Sequence, residues 1–492
     1  MIVKRTLIRG LSSLLTVVLL LTTATACASN EESIETDPPA QTADQAETGA
    51  ESIPADTLPD NLYYNGEEIV FISYDVMTYD DLTGAPVEDI IYERNSAVEA
   101  RLGVAIIGIQ DDNPIEKISI AVNGGSTDYD VLVELSWRSI PKVTDNYFRD
   151  LRQTKYLDFD KIWWNQGFND AFEYNGAQYG ITGAMVLSLY RRAYTTVFNK
   201  DLFAKVNQPY LYDYVENGTW TMDKQASLVP LFHQDNGNST QDMIGDIYGF
   251  VSNDFIYVDP YWAAGEVDII RKTVDGAYEW AFDSAKMYDV AEKIFALYYQ
   301  DGSYIEHDDY QAEITENTIF SGGYAAMATM LIRHLESPDI RSMQQEYGVV
   351  PIPKYSESQT TYHSQMHNGF TLASIPSTIS ADRADMLSAV LEAMSSISYR
   401  IVRPVYYETV LRTQLAKDPQ SAAMIDLIMD NIHIDIAFSY STVIGNFHQA
   451  LQQTVDSGRI DGLISSFEKQ ARSSKRSLMQ LIDKLDKLAE NS

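Results

Sequence analysis

Two histidines four residues apart, His363 and His367 in the run H-S-Q-M-H, have the best metal-ligand spacing in this 492-residue chain. Two imidazoles at that spacing share one face of a helix, and a third ligand would complete a zinc site. No third ligand is near in sequence and the following Asn368-Gly369 favours a strand or turn, so ordinary polar histidines are expected and no metal is assigned. Acidic pairs such as Asp111-Asp112 and Asp308-Asp309 are of the right type for general acid and base work. Glycosidase carboxylates must face each other across a substrate, however, and adjacency in sequence does not supply that. In a chain this acidic they read as solvated surface. The Gly-Lys of a phosphate-binding loop, the G-x-S-x-G elbow, H-E-x-x-H and the D-x-D-x-D-G calcium loop do not occur. The single thiol, Cys27, lies in a leader, which leaves no cysteine nucleophile for the folded part. What remains is the chemistry of contact: 32 tyrosines against 17 phenylalanines offer flat faces together with hydroxyls.

Charge narrows the partners. With 36 basic against 70 acidic side chains the formal charge is -34, which excludes a general nucleic-acid binder because phosphate neutralisation needs a basic surface. Lys4, Arg5 and Arg9 precede an apolar run, Leu11 to Leu21, and then small residues ending Ala24-Thr25-Ala26-Cys27. That order is the layout of a secretory signal, and the run is short for a spanning helix. A-T-A-C resembles a bacterial lipobox, with Ala24 where leucine is commonest. Lipidation of Cys27 is therefore expected, with residues 1–26 as signal peptide; a signal cut near Ala26 and an uncut anchor are the alternatives. Residues 27–60 carry nine acidic side chains, no basic one and four prolines, and read as a disordered acidic tether. The body, 61–492, retains a net charge of -28.

The elements that must position any binding residue begin at Glu67. The apolar run 67–74, a helical face with Ile91, Val98 and Leu102, a second run Val104 to Ile109, a helix over 115–122 and a third run 129–135 predict β-α-β-α-β. Continuous apolar strands joined by helices predict a parallel sheet covered on both faces, hence an α/β class. Further on, Thr221 is an N-cap for a helix burying Leu228 and Leu231. Residues 380–402 place Leu387, Val390, Leu391, Met394, Ile397 and Ile401 at helical spacing, and the end of the chain repeats this with Leu478, Leu481, Leu485 and Leu488. The late segments are helix-rich.

An ordered set of segments is similar to the sugar-type family (family 1) of bacterial extracellular solute-binding proteins, the lipoprotein component of an ABC transporter. They are D-Y-D-V-L-V (128–133), K-I-W-W (161–164), Y-N-G-A-Q-Y-G-I-T-G (174–183), V-F-N-K-D-L-F (197–203), N-G-T-W-T-M-D-K (217–224), F-S-G-G-Y-A-A-M (320–327), Y-G-V-V-P-I-P (347–353) and G-F-T-L-A-S-I-P (369–376). The resemblance implies a periplasmic-binding-protein-like fold, with two lobes joined by crossings near residues 190, 370 and 412 and a hinge between them. Lobe one would be 62–192 plus 371–412, and a helix-rich lobe two 193–370 plus 413–492. It implies a ligand held by Asp75, Glu134, Trp137 and Arg138 from the first lobe and by Tyr257, Tyr261, Trp262 and His334 from the second, with Asn368 at the return crossing. Trp137 could be a platform under a sugar ring or a core indole, and packing is the alternative for Tyr261 and Trp262. Trp163, Trp164 and Trp220 match motifs that look structural. The family is not enzymatic and needs no cofactor. It implies a monomer, lipid-anchored on the extracellular face of the cell membrane, that delivers a carbohydrate or oligosaccharide to permease subunits. A surface glycan lyase or hydrolase, and a non-catalytic adhesion protein, are the alternatives.

Overall fold

The computed structural model describes residues 55–238, 242–306, 315–408 and 418–490. The signal peptide, Cys27 and most of the tether lie outside the described residues, as do Asp308-Asp309 and the expected crossing near 412. Thirteen strands follow in chain order: β1 (Glu67–Ser73), β2 (Val104–Gln110), β3 (Val131–Leu135), β4 (Tyr194–Asn199), β5 (Phe250–Asn253), β6 (Ile270–Lys272), β7 (Tyr278–Trp280), β8 (Ser303–Glu306), β9 (Met327–Leu331), β10 (Tyr347–Val350), β11 (Ser364–Gln365), β12 (Thr371–Ser374) and β13 (Ile432–His433). Two sheets organise the body, a four-stranded one in the order β12-β3-β1-β2 and a five-stranded one in the order β10-β4-β9-β5-β8.

In the first sheet β1 runs parallel to β2 and β3, and the returning β12 is antiparallel to β3. Helices α1 (Pro86–Leu102) and α2 (Pro114–Gly124) make the crossovers, as the apolar spacing predicts. Each starts with a proline, whose missing N–H costs nothing in the first turn. Each ends on a glycine at positive φ, Gly103 at 63° and Gly125 at 70°, which closes the last turn without a Cβ clash. The expectation of uniformly buried strands fails at β2. Only Val104 is buried there, and Ile107 and Ile109 remain 38% and 40% exposed because β2 is the edge of the sheet.

Arg94, wholly buried on α1, ties this lobe together. Its guanidinium donates to the carbonyls of Met77 (2.9 Å) and Met185 (3.0 Å) and to Asn95 Oδ1, so the loop after β1 is pinned to the chain that leaves the lobe. The helix Ala381–Ile397, capped by Ser380, buries Leu387, Val390, Leu391, Met394 and Ile397 as spaced. Its Glu392 accepts from both indoles of the K-I-W-W run, Trp163 Nε1 at 3.1 Å and Trp164 Nε1 at 2.9 Å. These tryptophans are buried, as is Trp220, whose Nε1 donates to the Pro351 carbonyl.

In the second sheet β4 is antiparallel to β9 and β10, while β5 is parallel to β8 and β9. Thr221 caps the helix Met222–Leu228 by accepting from Lys224 N. That helix buries Leu228 but not Leu231, which lies beyond its end in a 3₁₀ turn and is exposed. The closing helix Leu463–Ala489 buries Leu478, Leu481 and Leu485, with Leu488 half-buried near its end.

The chain passes between the sheets at 191–194 and again at 365–371, and these segments lie side by side. Ala193 is bridged to Met366 and accepts the Ile332 N–H at 3.0 Å, while His367 N–H donates to the Arg192 carbonyl at 3.0 Å. The connection is thus a short hydrogen-bonded ribbon whose backbone groups are satisfied from both sides.

Burial pushes the Glu392 carboxyl up from 4.5 to about 7. A group that holds its proton more tightly folded than unfolded stabilises the fold fully below its unfolded value, and that contribution is lost as pH rises through the folded value. Glu392→Gln should therefore flatten part of the fall in Tm between about pH 5 and pH 8; melting curves with an unchanged slope would refute the assignment.

Candidate functional site

Side chains that follow the C-terminal ends of parallel strands face outward from the sheet, the usual place for a ligand in an open α/β sheet. Here β1 ends into Tyr74 and Asp75, β2 into Asp111 and Asp112, and β3 into Ser136, Trp137 and Arg138. A cavity of about 750 Å³ opens at the first two of these ends. Tyr74, Asp75, Tyr79 and Asp112 form its first-sheet wall, with Arg191 from the crossing and Glu336 from the turn after β9. A second cavity of about 570 Å³ opens beside it, lined by Asn113, Trp137, Arg138 and Lys142 and closed by Gln480 and Lys484 of the last helix.

Arg138 joins the two. Its guanidinium lies 4.9 Å from the Trp137 ring centre and 5.7 Å from that of Tyr74, and donates to the Asp112 carbonyl at 2.7 Å. The result is a continuous rim of aromatic faces and a planar cation, Tyr74, Arg138 and Trp137, suited to stacking and to bidentate hydrogen bonding. Asn368 sits behind it: its carbonyl accepts from Ser136 Oγ at 2.7 Å and from Trp137 N, and its Nδ2 donates to the Phe438 carbonyl. Asp75 is fixed by the Thr371 hydroxyl, 2.8 Å from Oδ2, at the start of β12. Glu336 is held by both Arg191 nitrogens, at 2.8 and 2.9 Å, and by the Tyr406 hydroxyl.

On the second-sheet side a relay of hydrogen bonds stands behind the wall. Arg333 Nε donates to His334 Nε2 at 3.1 Å, which leaves the proton of the neutral ring on Nδ1, 2.8 Å from the Tyr257 hydroxyl. The Tyr257 hydroxyl in turn meets Glu316, whose carboxyl is pushed up by burial and by Glu306 beside it. Burial and the charges of Arg333 and Arg192 pull His334 down to about 3, so it stays neutral. His367 is pulled to about 3 by burial and by the same two arginines.

Of the residues read from the sequence, the structure brings Asp75, Trp137, Arg138 and Asn368 to the cavity walls or directly behind them. His334 belongs to the relay on the second-sheet side and lines neither cavity, and the remaining four lie in the interior. Glu134 is wholly buried and accepts the N–H groups of Ile115 and Leu135, so it fixes the first turn of α2, and its Oε1 lies 3.7 Å from the Arg138 guanidinium, which it supports from behind. Tyr257 is buried and spends its hydroxyl on His334. Tyr261 and Trp262 fall on the short helix Pro260–Ala264, every residue of which is buried. Trp262, 0% exposed, packs edge-on against Phe438 and Phe467 and tilted against Phe282, and Tyr261 reaches Gln225 in the interior. These side chains are core. His363 and His367 do not converge, since the intervening β11 is extended and separates residues four apart by about 13 Å. His363 lies by His433 and His367 by Tyr194, and no metal-holding group of three occurs among the described residues.

Sequence reasoning missed Tyr74, Tyr79, Arg191, Arg192, Glu336 and Arg333. A signal for two of them existed. The pair Arg191-Arg192 falls at the crossing expected near 190, in a chain poor in basic residues.

No family model matches the sequence, and no curated protein matches it. Solved structures match by fold. The maltose/maltodextrin-binding domain MalE from Bdellovibrio bacteriovorus, bound to maltotriose, aligns at a TM-score of 0.53 and 17% identity over 85% of this chain and 100% of that one. The cyclic alpha-maltosyl-1,6-maltose binding protein from Arthrobacter globiformis aligns at 0.57 and 13% over 84% and 99%. UgpB from Mycobacterium tuberculosis, in complex with glycerophosphocholine, aligns at 0.55 and 13% over 85% and 100%. The chain therefore has the two-lobed, periplasmic-binding-protein-like α/β fold that its sequence motifs resemble.

The division of labour between the two tryptophans is testable. Trp262→Ala should cost about 3–5 kcal/mol of stability in denaturant titration, as removal of a fully packed indole does. A loss below about 1 kcal/mol would show that the indole is not packed as described.

Proposed function

We propose that this chain is the solute-capture protein of an ABC importer and that its solute is a carbohydrate or oligosaccharide held between the two lobes. One observation carries the reading. The two cavities meet at the Tyr74, Arg138, Trp137 rim, at the C-terminal ends of parallel strands, where a ring can stack and hydroxyls can find planar polar partners. Fold neighbours whose names state that they bind maltotriose and cyclic maltosyl-maltose make a sugar the favoured solute. The paired crossings at Ala193 and Met366 would serve as the hinge about which the lobes close. Capture of this kind needs no nucleophile and no cofactor, so the chain is not an enzyme in this reading. The leader, the lipobox-like A-T-A-C and the acidic segment after it support a monomer anchored through Cys27 on the outer face of the cell membrane, with permease subunits as its partners.

Titration of the full chain with a glycan panel should change its tryptophan fluorescence and raise its Tm with one or a few oligosaccharides at micromolar affinity, about -8 kcal/mol. Trp137→Ala should then weaken that binding by more than about 1 kcal/mol with little loss of stability. A silent panel would sink the carbohydrate assignment, and an unchanged affinity in the variant would remove Trp137 from the site. Separately, Cys27→Ser should move the chain from the membrane to the soluble fraction of cells and abolish labelling by a fatty acid. Retention with the membrane would argue for an uncut anchor.

A further inference from the structure

We propose that the captured solute carries an oxyanion, as an acidic oligosaccharide does, and that Arg192 and Arg333 together bind it. The inference rests on the capture reading above and narrows its substrate class.

The pairing of β4 with β9 brings these two residues close together at the end of the sheet. Tyr194 pairs with Leu331, and the Ile332 N–H to Ala193 carbonyl bond continues the ladder beyond the strands. Arg192 and Arg333 flank that bond, Arg333 in the 3₁₀ turn Ile332–Glu336, and the charge of Arg333 acts on Arg192. Like charges held near each other repel, so the arrangement is not explained by the fold it sits in. Several other arginines of the fold are held by partners of their own. Arg191 is paired with Glu336, Arg383 with Asp130, Arg271 with Glu279, and buried Arg94 is satisfied by carbonyl oxygens. Among the described residues neither Arg192 nor Arg333 has an ion pair, in a body with 61 acidic side chains to choose from.

The surroundings preserve this positive charge. Both residues are half-buried, and the two histidines beside them are kept neutral by burial and by the same guanidiniums, so they neither add to the charge nor offset it. Arg192 Nη1 lies over Gly369, where a side chain would meet it. Asp75 and Tyr74, which line the larger cavity, are the groups of the first lobe that act on Arg192 electrostatically. Two guanidiniums meet Asp75, already engaged by Thr371, and on the second-lobe side Glu316 and Asp259, whose carboxyls burial pushes up toward the neutral form, which leaves an excess positive charge at the junction of the lobes. Guanidinium forks match carboxylate, sulfate and phosphate oxygens two at a time, which is the chemistry the pair offers a ligand.

Calorimetric titration of the full chain would compare oligogalacturonates, glucuronate-containing and sulfated oligosaccharides with their uncharged counterparts of equal length, and with inorganic phosphate and sulfate. The expected result is that one acidic oligosaccharide binds at least about tenfold more tightly than its neutral counterpart, an advantage that shrinks with added salt. Arg192→Gln and Arg333→Gln should each abolish the preference. Arg333→Lys should keep part of it, and serves if a glutamine variant does not fold. Equal binding of neutral and acidic partners, unaffected by the arginine variants, would overturn the inference and leave sugar capture standing. Arginine-dependent binding of phosphate or sulfate with no response to any glycan would keep the oxyanion site and overturn sugar capture. Silence with every probe would overturn both.

Discussion

Everything in the molecule hangs on the two crossing segments running together. A single strand passing between two lobes would carry unpaired backbone groups through a partly dry region, and each such group costs about as much as a lost hydrogen bond. Pairing Ala193 with Met366, and with Ile332 on its other side, removes that cost with two short stretches of chain. It also fixes what comes next to them. The residue before Ala193 and the residue after Ile332 emerge close to each other, and the residues after Met366 enter β12 against β3. The placement of Asp75 follows from the same event, since Thr371 at the start of β12 holds its carboxylate.

The treatment of buried charge separates structure from function. Arg94, Glu134, Glu392 and Asp418 are all withdrawn from water, and each is met by several partners: carbonyls for the arginine, backbone N–H groups for Glu134, two indoles for Glu392, and Lys200, Tyr212 and Ser421 for Asp418. Such groups hold loops and helix ends in place, because a buried charge tolerates little loss of its partners. The rim side chains differ. Arg138 makes one backbone hydrogen bond, two aromatic contacts and a 3.7 Å ion pair with Glu134, which position it at the rim. Arg192 and Arg333 go further, as a neighbouring pair with no ion pair among the described residues.

The order β-α-β-α-β was legible because burial imposes a period that the residues must obey, and the prolines and glycines mark where each helix begins and ends. Legibility stopped where the outcome depended on neighbours distant in sequence. Nothing in V-A-I-I-G-I-Q says that it will be an edge strand, since β2 is made an edge by the absence of a fifth partner. The aromatic residues of Y-V-D-P-Y-W-A-A-G look alike whether they line a cleft or a core, and only the arrival of Phe282, Phe438 and Phe467 decides it. Trp137 and Arg138 were readable because the polar residues beside them already disfavoured full burial. The approach of Arg192 to Arg333, 141 positions apart, depends on how β4 meets β9 and has no trace in either local sequence.

A body with a net charge of -28 and a cationic pair between its lobes are not in conflict, because they act over different distances. The acidic exterior acts through water, where salt at physiological strength limits its reach to about 8 Å. It repels an approaching anion only weakly. Inside the cleft the walls limit water and counterions, so the two guanidiniums are screened less than the exterior while still responding to salt. The exterior therefore governs how often an anion arrives and the arginine pair governs how long it stays. Added salt should speed the first and weaken the second, so the overall charge of the chain says nothing about the charge of what it captures.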